Sequence, residues 1–227
     1  MHISTKNKIK NFGISAYCPV CGSFLKKFIA VEDRKKAICP VCGSYERHRL
    51  VWLYFKRETG IFSGKLKMLH IAPENCFVRR FKQIPNLDYI SIDLESKLAD
   101  KKMSLTKLEF EDECFDIVYC SHVLEHITDD IKAMSEIKRT LKKGGMAIIM
   151  VPVFGEVTEE DLNVTAPEER KRLYGQSDHV RKYGEDFVSR LETAGLKVQT
   201  LEFYKKFLKI VRLYYGLSDE KIYICRK

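Results

Sequence analysis

No apolar run in the 227 residues approaches the ~20 needed to span a bilayer as a helix, which excludes a membrane-spanning reading. The basic start, MHISTKNKIKNFG, has no apolar core behind it, so it does not read as a secretory signal peptide. An internal repeat is also lacking. The eight cysteines do not form the even framework of a disulfide scaffold. Four follow a metal-type spacing, and Cys76, Cys114, Cys120 and Cys225 are scattered beside apolar residues. That usage predicts a reducing, cytoplasmic setting. Charge is present but uneven. Residues 1–60 hold 12 Lys/Arg against 4 Asp/Glu, so nearly all of the net +9 belongs to the N-terminal part.

The most specific local pattern is C-x2-C-x17-C-x2-C, formed by Cys18, Cys21, Cys39 and Cys42 in two CPVCG turns. Each turn brings two thiolates together, and Gly22 or Gly43 lets backbone amides face sulfur. Two such turns make a four-sulfur tetrahedral site of the kind structural zinc occupies, with no position open for catalysis. The intervening FLKKFIAVEDRKKAI predicts a small hairpin. SYERHRLVWLYFKRE predicts a helix with an apolar face of Leu50, Trp52, Leu53 and Phe55, and with His48 at the surface. GIFSGK marks a boundary. The expected division is a zinc ribbon at 1–45, a linking helix and turn at 46–64, and a main domain at 65–227.

The main domain begins with strand-like KMLHIA, a helix from Pro73-Glu74 that Pro85 stops, and a second strand, DYISIDL, ending at Asp93. The stretch FDIVYCSHVLEHITDDIKAMSEIKRTLKKGG organises the rest. Its apolar run 117–120 fits a strand buried on both faces. Ile131, Met134, Ile137 and Leu141 share one helical face, with Thr128 as expected N-cap. GMAIIMVPV is then a parallel partner strand. A polar insertion, 154–182, contains a helix for which Thr165 and Glu168 have capping-box spacing and Pro167 lies in the first turn. YGEDFVSRLETAG reads as a helix, and LKVQTLEF and KIYICRK as the last two strands. The fold class is therefore α/β, a doubly wound, seven-stranded, mostly parallel sheet with a small N-terminal zinc ribbon.

The order "FD.V....VLEH", then "LK.GG", resembles the late motifs of class I S-adenosylmethionine-dependent methyltransferases. The resemblance covers about 65–227 and implies a Rossmann-like methyltransferase fold with S-adenosyl-L-methionine as cofactor. It also implies a cofactor site from His70, Ala72, Pro73 and Glu74 after strand one, and from Asp93 and Leu94 after strand two. Ser104 and Leu105 would lie at the adenine, with Ser121 and His122 after strand four. The family's glycine-rich turn is missing: LHIAPENC has His70 where an acid is usual, and Ala72, Glu74 and Cys76 replace glycines. Glycine would permit positive φ and close approach there. Ala72 is small enough to keep the approach, Glu74 offers a carboxylate to the cofactor's ammonium group, and Asp93 can accept both ribose hydroxyls. His126 is expected within the helix start and His122 at the pocket.

In the insertion, GQSDHVRKYG crowds Gln176, Asp178, His179, Arg181 and Tyr183 together. These are the expected acceptor-binding residues, on a loop closing over the cofactor. His179, with His122 and Asp178, is the expected catalytic group, because imidazole suits removal of a proton near neutrality. The leading reading is methyl transfer to a small-molecule or glycan-like acceptor. One alternative is an RNA methyltransferase that uses the basic ribbon to attract phosphates. The other is a non-catalytic binding protein on a degenerate methyltransferase fold.

Overall fold

The computed structural model describes residues 5–227; residues 1–4 of the basic start lie outside the described residues. In chain order the elements are α1 (Thr5–Asn11), β1 (Ala16–Cys18), β2 (Ser23–Leu25), β3 (Ile29–Val31), β4 (Arg34–Ile38), α2 (Glu46–Glu58), β5 (Leu66–Ile71), α3 (Asn75–Phe81), β6 (Leu87–Asp93) and β7 (Lys101–Lys102). They continue with β8 (Phe115–Ser121), α4 (Asp130–Thr140), β9 (Leu141–Met150), β10 (Glu159–Glu160), α5 (Pro167–Tyr174), β11 (Arg181–Lys182), α6 (Phe187–Thr193), β12 (Lys197–Leu201), α7 (Lys209–Tyr215) and β13 (Ile222–Arg226). No helix among the described residues is long and apolar enough to cross a membrane.

The chain divides into two compact units. The first gathers the described part of 1–65 with 74–87 and 202–221. Its two short hairpins pair β1 with β2 and β3 with β4. The apolar stripe of α2 makes the core: Trp52 stacks on Phe77 at 5.5 Å, and Phe55 meets Phe81 edge-on at 5.1 Å. Tyr54 meets Phe203 edge-on at 5.3 Å. His48, expected at the surface, is buried. Its Nδ1 accepts from the Tyr45 amide (3.1 Å), so it serves as the helix's capping side chain. Arg49, fully buried, donates to the carbonyls of Lys36, Ala37, Ser44 and Gly216.

The second unit comprises 66–73, 88–201 and 222–227. Its seven-stranded sheet runs β12-β13-β9-β8-β5-β6-β7. β5 pairs parallel with β8, β8 with β9 and β6 with β7, whereas β13 is antiparallel to both β9 and β12. This is the doubly wound, mostly parallel sheet expected, and its last two strands are linked by the 202–221 segment. One face packs Leu69, Ile71, Val118 and Cys120 against Met134, Ile137, Phe187 and Leu191. The opposite-pointing residues of the same strands, including Met68, His70 and Tyr119, are buried as well. Burial on both faces is why these strands read as continuous apolar runs.

Two helix starts differ from expectation. The Asp129 carboxylate, and not Thr128, caps α4 by accepting from the Lys132 amide at 2.9 Å. A charged acceptor suits the positive end of a helix better than a hydroxyl. At α5 the N-cap is Ala166, without a side-chain hydrogen bond. Pro167 takes the first helical position and holds the residue before it extended, which leaves Thr165 outside the helix.

Candidate functional site

A cleft of about 740 Å³ lies in the second unit, lined by residues that follow β5, β6 and β8. In parallel sheets this is the carboxyl edge, where loops diverge and leave room for a ligand. The walls include Ile71 and Ala72, Asp93 to Glu95, Met103 to Thr106, His122 and Val123, and His126 to Asp129, with Asp178 from the insertion.

Two residues on this edge have left-handed backbones without being glycine. Ala72 has φ +50° and His122 has φ +55°. Each still donates its amide to a neighbouring strand, Ala72 to Ile92 (2.9 Å) and His122 to Met150 (2.8 Å). The sheet is thus paired to its last residue before the chain turns sharply. A non-glycine residue in this region costs on the order of 1–3 kcal/mol, and such strain concentrates where a ligand is clamped. Ala72 therefore provides the turn for which a glycine was expected.

The other expected cofactor residues divide into those on the cleft and those away from it. Asp93, Leu94, Ser104 and Leu105 line the cleft. Asp93 Oδ1 accepts from the Glu95 and Ser96 amides, both at 2.8 Å, which fixes the carboxylate at the strand end. Ser104 Oγ shares a 2.8 Å hydrogen bond with Thr106 Oγ1. His70 is fully buried, with Nδ1 at 2.9 Å from the Tyr89 hydroxyl and its ring 4.9 Å from Tyr119. Strand alternation points it away from the Ile71 face, so it is not a cleft residue. Pro73 and Ser121 are buried and do not line the cleft. Glu74 belongs to the first unit as the residue before α3, with Oε1 3.5 Å from His48 Nε2.

The insertion departs most from expectation. Arg181 is buried and donates to Glu160 (2.7 Å) and to the backbone carbonyls of Leu124, Ile127 and Thr128. The Tyr183 hydroxyl donates to Asp130 at 2.8 Å, and burial, then the Asp130 charge, pushes its pKa well up. Both side chains hold the fold together and neither offers a hydrogen bond to an acceptor. The insertion is fastened as well: β10 pairs with β11, and the Val180 amide donates to the Glu125 carbonyl (2.9 Å). Gln176 is exposed. Asp178 reaches the cleft, with Oδ2 3.2 Å from His126 Nδ1.

His179 is buried, and its Nδ1 lies 3.2 Å from the Tyr174 carbonyl. Since a carbonyl can only accept, Nδ1 carries the proton. Burial, then the neighbouring His126, lowers the pKa of His179. Its ring meets His126 edge-on at 4.6 Å. Sequence reasoning missed Glu125, which is 1% exposed with Oε1 3.6 Å from His122 Nδ1. It also assigned His126 to packing, although that residue lines the cleft. The available signal was the Glu125-His126 pair inside VLEH, next to a strand end.

In the first unit, Cys18, Cys21, Cys39 and Cys42 place one sulfur each within 4.8 Å of the others. Gly22 (φ +66°) and Gly43 (φ +72°) turn both knuckles, their amides donating to Cys18 and Cys39 carbonyls. Ser44 Oγ lies 3.3 Å from both Cys18 and Cys42 sulfurs. A four-thiolate set with hydrogen-bonding neighbours fits a closed tetrahedral zinc site.

Residues 67–149 match the methyltransferase domain family. Over that stretch the chain is similar to methyltransferase domains. Two curated proteins are similar to part of it. An uncharacterized protein of Methanocaldococcus jannaschii is 35% identical over 83 residues, covering 34% of this chain and 36% of that protein. The ubiquinone/menaquinone biosynthesis C-methyltransferase UbiE of Xylella fastidiosa is 35% identical over 77 residues, covering 34% of this chain and 25% of that enzyme. The chain thus spans about a third or less of the curated relatives it matches. A solved S-adenosylmethionine-dependent methyltransferase from Archaeoglobus fulgidus superposes with a TM-score of 0.53 at 17% identity, covering 78% of this chain and 93% of that one. The sheet of the second unit therefore has the Rossmann-like methyltransferase fold.

Proposed function

We propose that the domain binds S-adenosyl-L-methionine in the cleft after β5, β6 and β8 and transfers its methyl group to a small-molecule or glycan-like acceptor. The observation carrying this is the left-handed turn at Ala72, a strained backbone placed where the methionine end of the cofactor would approach. Asp93 would take the ribose hydroxyls through its second oxygen, while Leu94, Ser104 and Leu105 flank the base. The sulfonium is already activated, so the chain's task is to align acceptor, methyl and sulfur and to accept a proton where the acceptor has one. His122, on the cleft wall and beside Glu125, suits that task better than His179, which is buried and does not line the cleft. Four-cysteine zinc in the ribbon would be structural.

The uneven charge supports RNA as a second acceptor. Lys26, Lys27 and Lys35 are exposed on the ribbon and could meet phosphates. The deciding experiment is titration calorimetry with S-adenosylmethionine, in which one saturable site per chain is expected. An absence of heat would leave the non-catalytic reading standing. A salt-dependent RNA complex, lost when the three lysines become glutamine, would favour the RNA acceptor.

A further inference from the structure

Glu125, His126 and His179 place one ligand-capable atom each within 4.8 Å of the others. Two imidazoles and a carboxylate are the set that holds a first-row divalent ion on one side and leaves its other positions open. We propose that these three residues bind such an ion at the acceptor end of the cleft, its open positions directed to an acceptor oxygen. The binding stands on these residues alone; the acceptor role rests on the methyl-transfer reading above.

Three features favour a ligand site over a packed polar cluster. First, the Nδ1–H of His179 is spent on the Tyr174 carbonyl, which fixes the tautomer that presents an Nε2 lone pair. Metal-binding histidines are oriented in this way by their second nitrogen. Second, the two chain segments are locked together. Val180 donates to the Glu125 carbonyl, and Arg181 grips the carbonyls of Leu124, Ile127 and Thr128. His179 is therefore held against Glu125-His126 by hydrogen bonds of its neighbours Val180 and Arg181, before any ion arrives. Third, the cluster meets the cleft through His126, and Asp178 Oδ2 stands 3.2 Å from His126 Nδ1 as a fourth polar group, an oxygen. Ligands on one side of an octahedral ion lie about 3 Å apart, so the three atoms, now within 4.8 Å of one another, would draw together as the ion binds.

The ribbon does not compete for every ion. Four thiolates select zinc, while a carboxylate with imidazoles also accepts manganese. An ion here would hold an acceptor hydroxyl and make it more acidic. Its proton would leave to water or His122, the oxygen would bond to the methyl carbon, and the C–S electron pair would return to sulfur as a neutral thioether.

The test is Mn2+ titration of the zinc-loaded 227-residue chain, with free Mn2+ read by electron paramagnetic resonance. One Mn2+ per chain is expected, weakened roughly tenfold or more in Glu125→Gln, His179→Ala and His126→Ala. His126 is the most exposed of the three, with a side chain 32% accessible, so its variant keeps the test decisive if the buried ones misfold. The proposal is overturned if the wild type takes up no Mn2+ at roughly millimolar concentration, or if His126→Ala binds as the wild type does. S-adenosylmethionine calorimetry on the same samples separates the two claims. Cofactor binding without Mn2+ removes the ion site alone, and Mn2+ without cofactor removes the methyl-transfer reading and leaves the site.

Discussion

At the scale of single residues, the cleft turns on Asp93 and Ala72. Asp93 is anchored by two amides through one oxygen, so its second oxygen is presented without much freedom to lose. Asp93→Ala should weaken S-adenosylmethionine binding by about 1.5–3 kcal/mol, the range for a charge-assisted hydrogen bond. Titration calorimetry checks this, and unchanged affinity would remove Asp93 from the site. Ala72 can be tested from both sides. Ala72→Gly removes the left-handed penalty and should bind the cofactor at least as well as wild type. Ala72→Val adds a β-branched side chain at φ +50° and should lose about 1–3 kcal/mol of stability, read from urea unfolding. Asp93 was legible in the sequence because an acid at a strand end is a spacing signal. The turn at Ala72 was only half legible, since glycine is the usual mark of positive φ and alanine gives none. Arg181 and Tyr183 misled for a related reason. A polar side chain looks the same in sequence whether it faces solvent or reaches carbonyls more than 50 residues away, as Arg181 does.

At the scale of elements, the insertion, α4 and α6 are joined by one ionic network. Asp130 accepts from Tyr183 and from Arg190, and Arg190 and Arg181 both reach Glu160. Burial works to raise the Asp130 carboxyl, but hydrogen bonds from Arg190 and Tyr183 and the charges of both arginines outweigh it, leaving its pKa below the ordinary value. Burial works to raise Glu160 too, and hydrogen bonds from the same two arginines, with their charges, lower it below the ordinary value. The sign follows from linkage: groups with depressed folded pKa values stabilise the fold at pH above the unfolded value. That contribution falls away as pH drops through the depressed folded values. Stability to urea should therefore hold from neutrality down to about pH 4–5 and decline below it. In Asp130→Asn the acid-dependent part of the decline should shrink. An identical pH profile would show that the network does not set acid stability. Removing Arg181 is harsher, because it leaves buried carbonyls and a carboxylate without their donor. Arg181→Ala should cost about 3–5 kcal/mol, and a loss under 1 kcal/mol would contradict its structural assignment.

At the scale of the whole molecule, the sheet was readable because its strands are apolar on both faces and its helices keep a 3.6-residue period. The composition of the first unit was not. Residues 74–87 and 202–221 sit within the expected main domain, 65–227, by sequence order, yet they pack with the ribbon and α2. Nothing local marks this, since Phe77 and Phe81 would look the same against a sheet as against Trp52 and Phe55. Arg49 shows how the unit is tied. Its guanidinium joins the ribbon carbonyls of Lys36, Ala37 and Ser44 to that of Gly216, so one buried charge depends on the ribbon's shape and on the 202–221 segment together. The unit should then unfold as a whole when the ribbon fails, because a buried guanidinium cannot lose half its acceptors cheaply. Zinc, if it fills the proposed four-cysteine site, would supply much of the ribbon's folding energy, so chelation, or Cys39→Ser, would be the trigger. Hydrogen–deuterium exchange should rise in residues 16–45 and, by a similar factor, in 74–87 and 202–221. Faster exchange confined to the two knuckles, with 202–221 still protected, would mean that the Arg49 bonds survive without the metal and that the ribbon folds separately.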